Sequence, residues 1–456
     1  QVYEQFLGKV IRLTPAHHAK VEEKPEVKKA GGVYYTPTYI VDYIVKQTVG
    51  KLVADKSPAQ ISKLRILDPA CGSGSFLLGA YQYLLDHHLR WYQANDPQKH
   101  SHGKTPALYQ GPQGGWRLTS TEKKRILLNN IHGVDIDRQA VEVTKLSLLL
   151  KVLEKETEET IGQQLTLWRE PALPDLDHNI KCGNSLIGPD YFEAQLIPDE
   201  DEIRRVNPFD WPAEFPEIMA GGGFDAVIGN PPYIRIQTMK DWVPTEVEFY
   251  KQSYKTASKG NYDIYVIFVE RALRLLNNHG RLGYILPHKF FQAKYGAPLR
   301  ELIIRGKYLA EVIHFGDQQI FPGATTYTCL LFLDKAGNQC FRYIEAHDLG
   351  VWRTRGVAVE DEIRSEKATA SEWNFVVGPG AALFERLSQI PVKLGDEAHI
   401  FVGLQTSADK VYVLEQILPP QGDLVQVRDL NGKEWSLEHD MLKPSNFRLG
   451  FCINRS

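Results

Sequence analysis

The chain has 456 residues, 43% of them hydrophobic, and a formal net charge of −3. It is too long for one ordinary domain and apolar enough to bury a large core. No apolar run approaches a membrane span, and no secretory leader follows Gln1, so the expectation is a cytoplasmic fragment of a longer protein with no membrane contact. Five cysteines without C-x-x-C spacing fit a reducing compartment and argue against structural zinc, so no metal is expected.

In chain order, residues 1–13 read as a short amphipathic helix and 15–30 as a Lys/Glu-rich linker or ragged hairpin. Together, residues 1–30 form a helical connector and linker. Thr36-Pro37 reads as an N-cap followed by a first-turn proline, opening a helix over 38–53 with Ile40, Ile44 and Val45 on its apolar stripe. From residue 64, strands and helices alternate. A strand at 64–67 leads through a Gly-rich turn at 68–75 to a helix at 76–91, then a polar excursion over 92–120. Ser120 or Thr121 caps a helix ending at 130. A strand at 131–136 precedes a helix at 137–153 with a stripe at Ala140, Val143, Leu146 and Leu150. Further strands fall at 180–182, 226–228, 283–286 and 328–333, with a helix over 262–277. The pairs His17-His18 and His87-His88 read as surface residues, since neighbours on a helix do not share a face.

This alternation predicts an α/β fold, a mostly parallel sheet with helices on both faces and ligands beyond the carboxyl ends of its strands. The pattern fades past 340. Residues 31–340 read as the catalytic domain, 341–390 as a connecting segment, and 391–456 as the start of a second, incomplete domain of short strands and turns. Residues 281–310 hold six basic side chains against Glu301 alone. That suits a polyanion-facing side; solvated helix surface is the plainer reading.

Two stretches carry chemistry. "LRILDPACGSGSFLL" is strand, acid, Gly-rich turn and helix. The dinucleotide fingerprint fails, because Leu77 stands where its third glycine belongs; a phosphate-gripping Walker loop fails at Gln98. A cofactor without a pyrophosphate fits better. Gly72 and Gly74 would let the backbone approach an amino-acid moiety, and Asp68 would face an ammonium or sulfonium. Asp135, ending the next strand, would accept from ribose hydroxyls, and Asn184 would offer its carbonyl to an adenine amine. These groups point to S-adenosylmethionine.

The second stretch is "FDAVIGNPPYIR". An exocyclic amine on a base is a poor nucleophile because the ring delocalises its lone pair. The Asn230 oxygen and the Pro231 carbonyl, held rigid by Pro231 and Pro232, can accept its two protons and free that lone pair. Tyr233 offers a ring for stacking, and a base must leave its duplex to reach such a pocket.

The order Tyr35-Thr36-Pro37, then Asp68 to Phe76, then Asn230 to Tyr233 resembles the gamma-class N6-adenine DNA methyltransferases. "GVYYTP" and "GNYDIYVIFVERALRLLNNHGRLGYILP" are similar to the methylase part of type IIG restriction-modification enzymes. The resemblance implies a Rossmann-like class I S-adenosylmethionine-dependent methyltransferase fold with a partial C-terminal target-recognition domain. It implies double-stranded DNA as partner and a bacterial or archaeal cytoplasm. Tyr35 and Thr36 would meet the cofactor's methionine end, lined further by Asp68, Pro69, Ala70, Cys71, Gly72, Ser73 and Gly74. Asp135 and Ile136 would hold the ribose and adenine, with Asn184 and Ser185 at the adenine. Many relatives have aspartate where Asn184 stands. Phe321 would pack on the flipped base, and Lys289, Lys294 and Arg300 would touch phosphates. No nuclease motif is evident, so any nuclease domain would precede Gln1. Two alternatives remain: methylation of a protein glutamine or an RNA amine, and a non-catalytic DNA-binding modification subunit.

Overall fold

The computed structural model describes the backbone at 9–13 and 19–23 and the chain over 36–392, except 112–113, 155–172, 194–198, 322–326 and 356–357. Beyond 392 it describes residue 397 and the stretches 413–418, 422–429, 431–438, 442–445 and 450–453. The expected N-terminal helix is a correction: Lys9–Leu13 is a strand, paired antiparallel with Ala19–Glu23. Val10 and Ile11 are β-branched, and in so short a segment that preference outweighs helical spacing. Residues 1–8 lie outside the described residues.

Among the described residues, the main sheet has nine strands. In chain order they are β1 (Ile66–Asp68), β2 (Ile131–Asp135), β3 (Ile180–Cys182), β4 (Phe224–Gly229) and β5 (Leu276–Pro287). Then come β6 (Leu309–His314), β7 (Thr328–Asp334), β8 (Cys340–Glu345) and β9 (Val359–Arg364). Their order across the sheet is β9-β8-β6-β7-β5-β4-β1-β2-β3. Strands β1 to β5 run parallel, and β7 inserts antiparallel between β5 and β6. The α/β expectation therefore holds, but the sheet does not stop at 340. β8 and β9 extend it, and the first compact unit runs to Ala381. β9, "VEDEIR", is a charged edge strand. It shields a sheet edge from further pairing and gives no apolar signal in sequence.

Helix α1 begins at Thr38 and runs to Val53, with one π-helical stretch at Lys46–Gly50. It packs against α2 (Ser75–Ala94) at Gly79, where a Cβ would lie 2.6 Å from Val41 Cγ1. Helix α3 (Ser120–Asn130) is capped by Thr119, whose Oγ1 accepts the Glu122 N–H at 3.2 Å. That is one residue earlier than expected, and such a cap contributes about 1 kcal/mol. The excursion before it carries a small hairpin, Leu108–Gln110 with Trp116–Leu118. Helix α4 (Arg138–Leu153) buries Ala140, Val141, Thr144, Leu148 and Val152; of the expected stripe only Ala140 is buried, and Leu146 and Leu150 are 56% and 59% exposed. Helix α5 (Tyr265–Leu275) lies between β4 and β5.

His88 corrects the surface reading. It is fully buried, its Nδ1 lies 2.7 Å from the Leu84 carbonyl, and burial pushes its pKa down to about 4. The second unit, Ala382–Ser456, contains a five-stranded antiparallel sheet over a small core of Leu414, Val425, Val427 and Leu442. Among the described residues, no helix is long and apolar enough to cross a membrane.

Candidate active site

The strand order reverses between β1 and β4, so their carboxyl ends open a crevice. Asp68 ends β1 and Gly229 ends β4. The two touch: a Cβ on Gly229 would lie 2.7 Å from Asp68 Oδ1. Glycine at this position is what lets the carboxyl sit beside the Asn230 turn. A cavity of about 430 Å³ fills the crevice.

The glycine turn divides its labour. Gly72 has φ +52°, and a Cβ there would meet nothing within 4 Å, so the backbone presents an open face to the cavity it lines. Gly74 has φ +84° and does not line the cavity. A Cβ on it would strike Thr144 Cγ2 at 2.8 Å, so its bareness serves the packing of α4. Thr144 Oγ1 donates to the Gly72 carbonyl at 2.8 Å, fixing the turn from behind. Pro69, Ala70, Cys71 and Ser73 also line the cavity.

Asp68 is fully buried. Desolvation pushes its pKa up to about 8, against a hydrogen bond from the Ala70 N–H, and Asp135 pushes in the same direction as burial. Asp135 accepts from the Gly72 N–H at 2.8 Å and the Asp137 N–H at 2.9 Å, and burial raises it to about 6. Both acids border the cavity, and a bound cation would favour ionised Asp68. Ile136, largely exposed, lines the cavity beside Asp135. After β3, Asn184 and Ser185 line the next stretch of wall. Ser185 Oγ donates to the Pro69 carbonyl at 2.5 Å, tying the end of β3 to the turn. An open glycine face, a buried acid for a cation, a second acid and an amide in sequence are a donor set that fits S-adenosylmethionine.

Asn230 and Pro232 border the same cavity. The Asn230 amide donates from Nδ2 to Thr36 Oγ1 at 3.1 Å, so the residue before α1 sets its rotation. The Tyr233 hydroxyl lies 2.5 Å from Asn230 Oδ1 and 3.0 Å from the Ile285 carbonyl, sharing one proton between two acceptors. Its ring meets Tyr265 edge-on at 6.1 Å. In this state Tyr233 covers the oxygen expected to receive a base. Pro231 is buried beside it.

Other expectations fare differently. Tyr35 lies outside the described residues. Phe321 is 2% exposed within the apolar core and does not line the cavity. Arg300 is 2% exposed and donates to the carbonyls of Phe290, Ala293 and Ala370. It ties two backbone segments together through three carbonyls and cannot reach a phosphate. Lys289 and Lys294 are exposed. Arg281 is paired with Asp334 at 2.7 Å, which trims the basic patch.

Sequence reasoning missed the far wall: Leu186, Met239, Glu246, Tyr250, Ile264 and Phe268 all line the cavity. Only the "DIYVIFVERAL" stretch gave any signal for them, and it suggested a core helix.

Two family profiles match the chain: the Eco57I restriction-modification methylase over 129–321 and the N-6 DNA methylase over 22–177. The type II restriction enzyme and methyltransferase RM.Eco57I of Escherichia coli is 34% identical over 97% of this chain. The chain belongs to the N6-adenine DNA methylases of restriction-modification systems. This methylase spans 42% of the Escherichia coli protein's length. The putative type II restriction enzyme and methyltransferase RM.MjaORFECS2P of Methanocaldococcus jannaschii is 23% identical over 68% of it, and the methylase spans 36% of that protein. Among solved structures, a DrdV–DNA complex aligns with a TM-score of 0.46 at 15% identity, covering 74% of this methylase and 31% of that chain.

Proposed function

We propose that this chain transfers a methyl group from S-adenosylmethionine to N6 of an adenine flipped out of double-stranded DNA, as the methylase part of a restriction-modification enzyme. One observation carries the reading: the Asn230 turn and the glycine turn share a single cavity, with Asp68 packed against Gly229 between them.

S-adenosylmethionine, when bound, supplies an electrophilic methyl group on a sulfonium. Asp68 holds the positive end of that ligand, Asp135 takes its ribose hydroxyls, and Gly72 leaves room for its backbone-like portion. Asn230 Oδ1 and the Pro231 carbonyl accept the two protons of the adenine amine and aim its lone pair. Tyr233 must first release Oδ1, and its freed ring then stacks on the base. The methylated nitrogen becomes acidic and sheds its proton without a strong general base. Thr36 keeps the amide from rotating its donor toward the substrate. Lys289 and Lys294 meet phosphates, which position the duplex without reading it. Residues 391–456 belong to a target-recognition region, and a nuclease domain precedes this segment in the whole enzyme.

Incubation with labelled S-adenosylmethionine and duplex DNA should label adenine N6. Asn230→Ala should remove the label by about 100-fold or more, as expected for loss of a group acting on the reacting atom, while cofactor binding persists. Label on RNA or protein but not DNA, or full labelling by Asn230→Ala, would refute the proposal.

A further inference from the structure

The far end of the cavity is walled by residues that the transfer reaction leaves unused. Helix α6 (Pro244–Ser253) presents Glu246 and Tyr250 there, one turn apart. Both are buried, at 7% and 2% exposure. Met239, Ile264 and Phe268 supply apolar wall around them. An apolar wall with a few polar groups suits a purine.

Asn184 was expected to receive the adenine amine, but its Oδ1 already accepts the Leu186 N–H at 3.1 Å. It therefore holds the turn after β3. Glu246 is placed otherwise. Its Oε1 takes Arg205 Nη1 at 2.5 Å. A carboxylate has about four acceptor sites, so capacity remains toward the cavity. Among the described residues, the other acids of the lining are Asp68, Asp135 and Asp137. The first lies against Gly229, the second holds the glycine turn, and the third caps α4 through the Gln139 N–H. An adenine amine brings two N–H donors, and burying them without acceptors is costly.

We propose that Glu246 accepts the exocyclic amine of the cofactor's adenine and sets the preference for an adenosyl over an inosyl ligand, with Arg205 orienting the carboxylate. This rests on the reading of the cavity as an S-adenosylmethionine site. An inosyl ligand carries a carbonyl in place of the amine and would face the carboxylate oxygen to oxygen.

The test is calorimetric titration of the chain with S-adenosylhomocysteine and S-inosylhomocysteine. The wild-type chain should prefer the adenosyl ligand by about tenfold or more, the range for a hydrogen bond to a charged group. Glu246→Gln, whose amide can donate to the inosyl carbonyl, should bring the two within about threefold. Arg205 is half-exposed, so Arg205→Ala tests the same point in a variant expected to fold, and it should narrow the preference too. Asn184→Ala should weaken both ligands equally and leave their ratio alone. If the wild-type chain binds neither ligand, the cofactor reading falls and takes this inference with it. If it binds S-adenosylhomocysteine while Glu246→Gln and Arg205→Ala leave the ratio unchanged, or Asn184→Ala alone abolishes the preference, only this inference falls.

Discussion

Asp68 should make binding of the proposed cofactor a proton-linked event. Its carboxyl is raised to about 8 by burial and by Asp135, despite the Ala70 N–H bond. Near pH 7 the free protein therefore holds Asp68 mostly protonated, whereas a ligand ammonium needs the carboxylate. Each pH unit below the pKa costs about 1.4 kcal/mol, a factor of about ten in affinity. Affinity for S-adenosylhomocysteine should rise about tenfold from pH 6 to 7 and flatten above about pH 8. Titration calorimetry at pH 7 in buffers of differing ionisation enthalpy should report release of about one proton. Asp68→Asn should weaken binding and abolish both the pH dependence and the proton release. Stability follows the opposite sign. A folded-state pKa raised above the unfolded value means that the folded chain binds the extra proton, so stability falls as pH rises from about 4 to 8. Asp68→Asn should remove that slope and melt higher than wild type at neutral pH. A dissociation constant flat from pH 6 to 8, with no buffer-dependent heat, would refute the reasoning.

Three further outcomes are expected. Gly74→Ala forces a Cβ against Thr144 in left-handed backbone, so thermal denaturation should show a loss of about 1–3 kcal/mol. Lys289→Ala and Lys294→Ala should each reduce the salt slope of DNA binding by about one. Arg300→Ala should instead lower the melting temperature and leave that slope intact, because its guanidinium serves three internal carbonyls. Tyr233→Phe removes the hydroxyl over Asn230 Oδ1 and should keep or raise affinity for adenine-containing duplex, whereas Tyr233→Ala should lose about 1–3 kcal/mol of stacking in equilibrium binding.

What was legible in the sequence was what local chemistry forces. Gly72 and Gly74 at positive φ, and the prolines after Asn230, allow few backbone conformations, so the two turns could be read without a partner. The helix over 138–153 could not be read so well. Its buried face includes Thr144, which pays for a polar core position by bonding the Gly72 carbonyl, while Leu146 and Leu150 point outward. β9 escaped notice because an edge strand can be nearly all charge. Arg300 looked like a phosphate contact because sequence shows charge but not the carbonyls around it. Glu246, Tyr250 and Phe268 could not be placed at all, since only the fold carries their helices to the mouth of β1.

The bond from Asn230 to Thr36 reaches across 194 positions of the chain. Immediately after Thr36, the chain enters a helix whose Tyr43 is moored to Glu311 on β6, itself clamped by Arg342 on β8. The angle of the Asn230 amide is thus set by a strut anchored on the opposite wing of the sheet, and a shift of α1 along that anchor would be felt at the cavity.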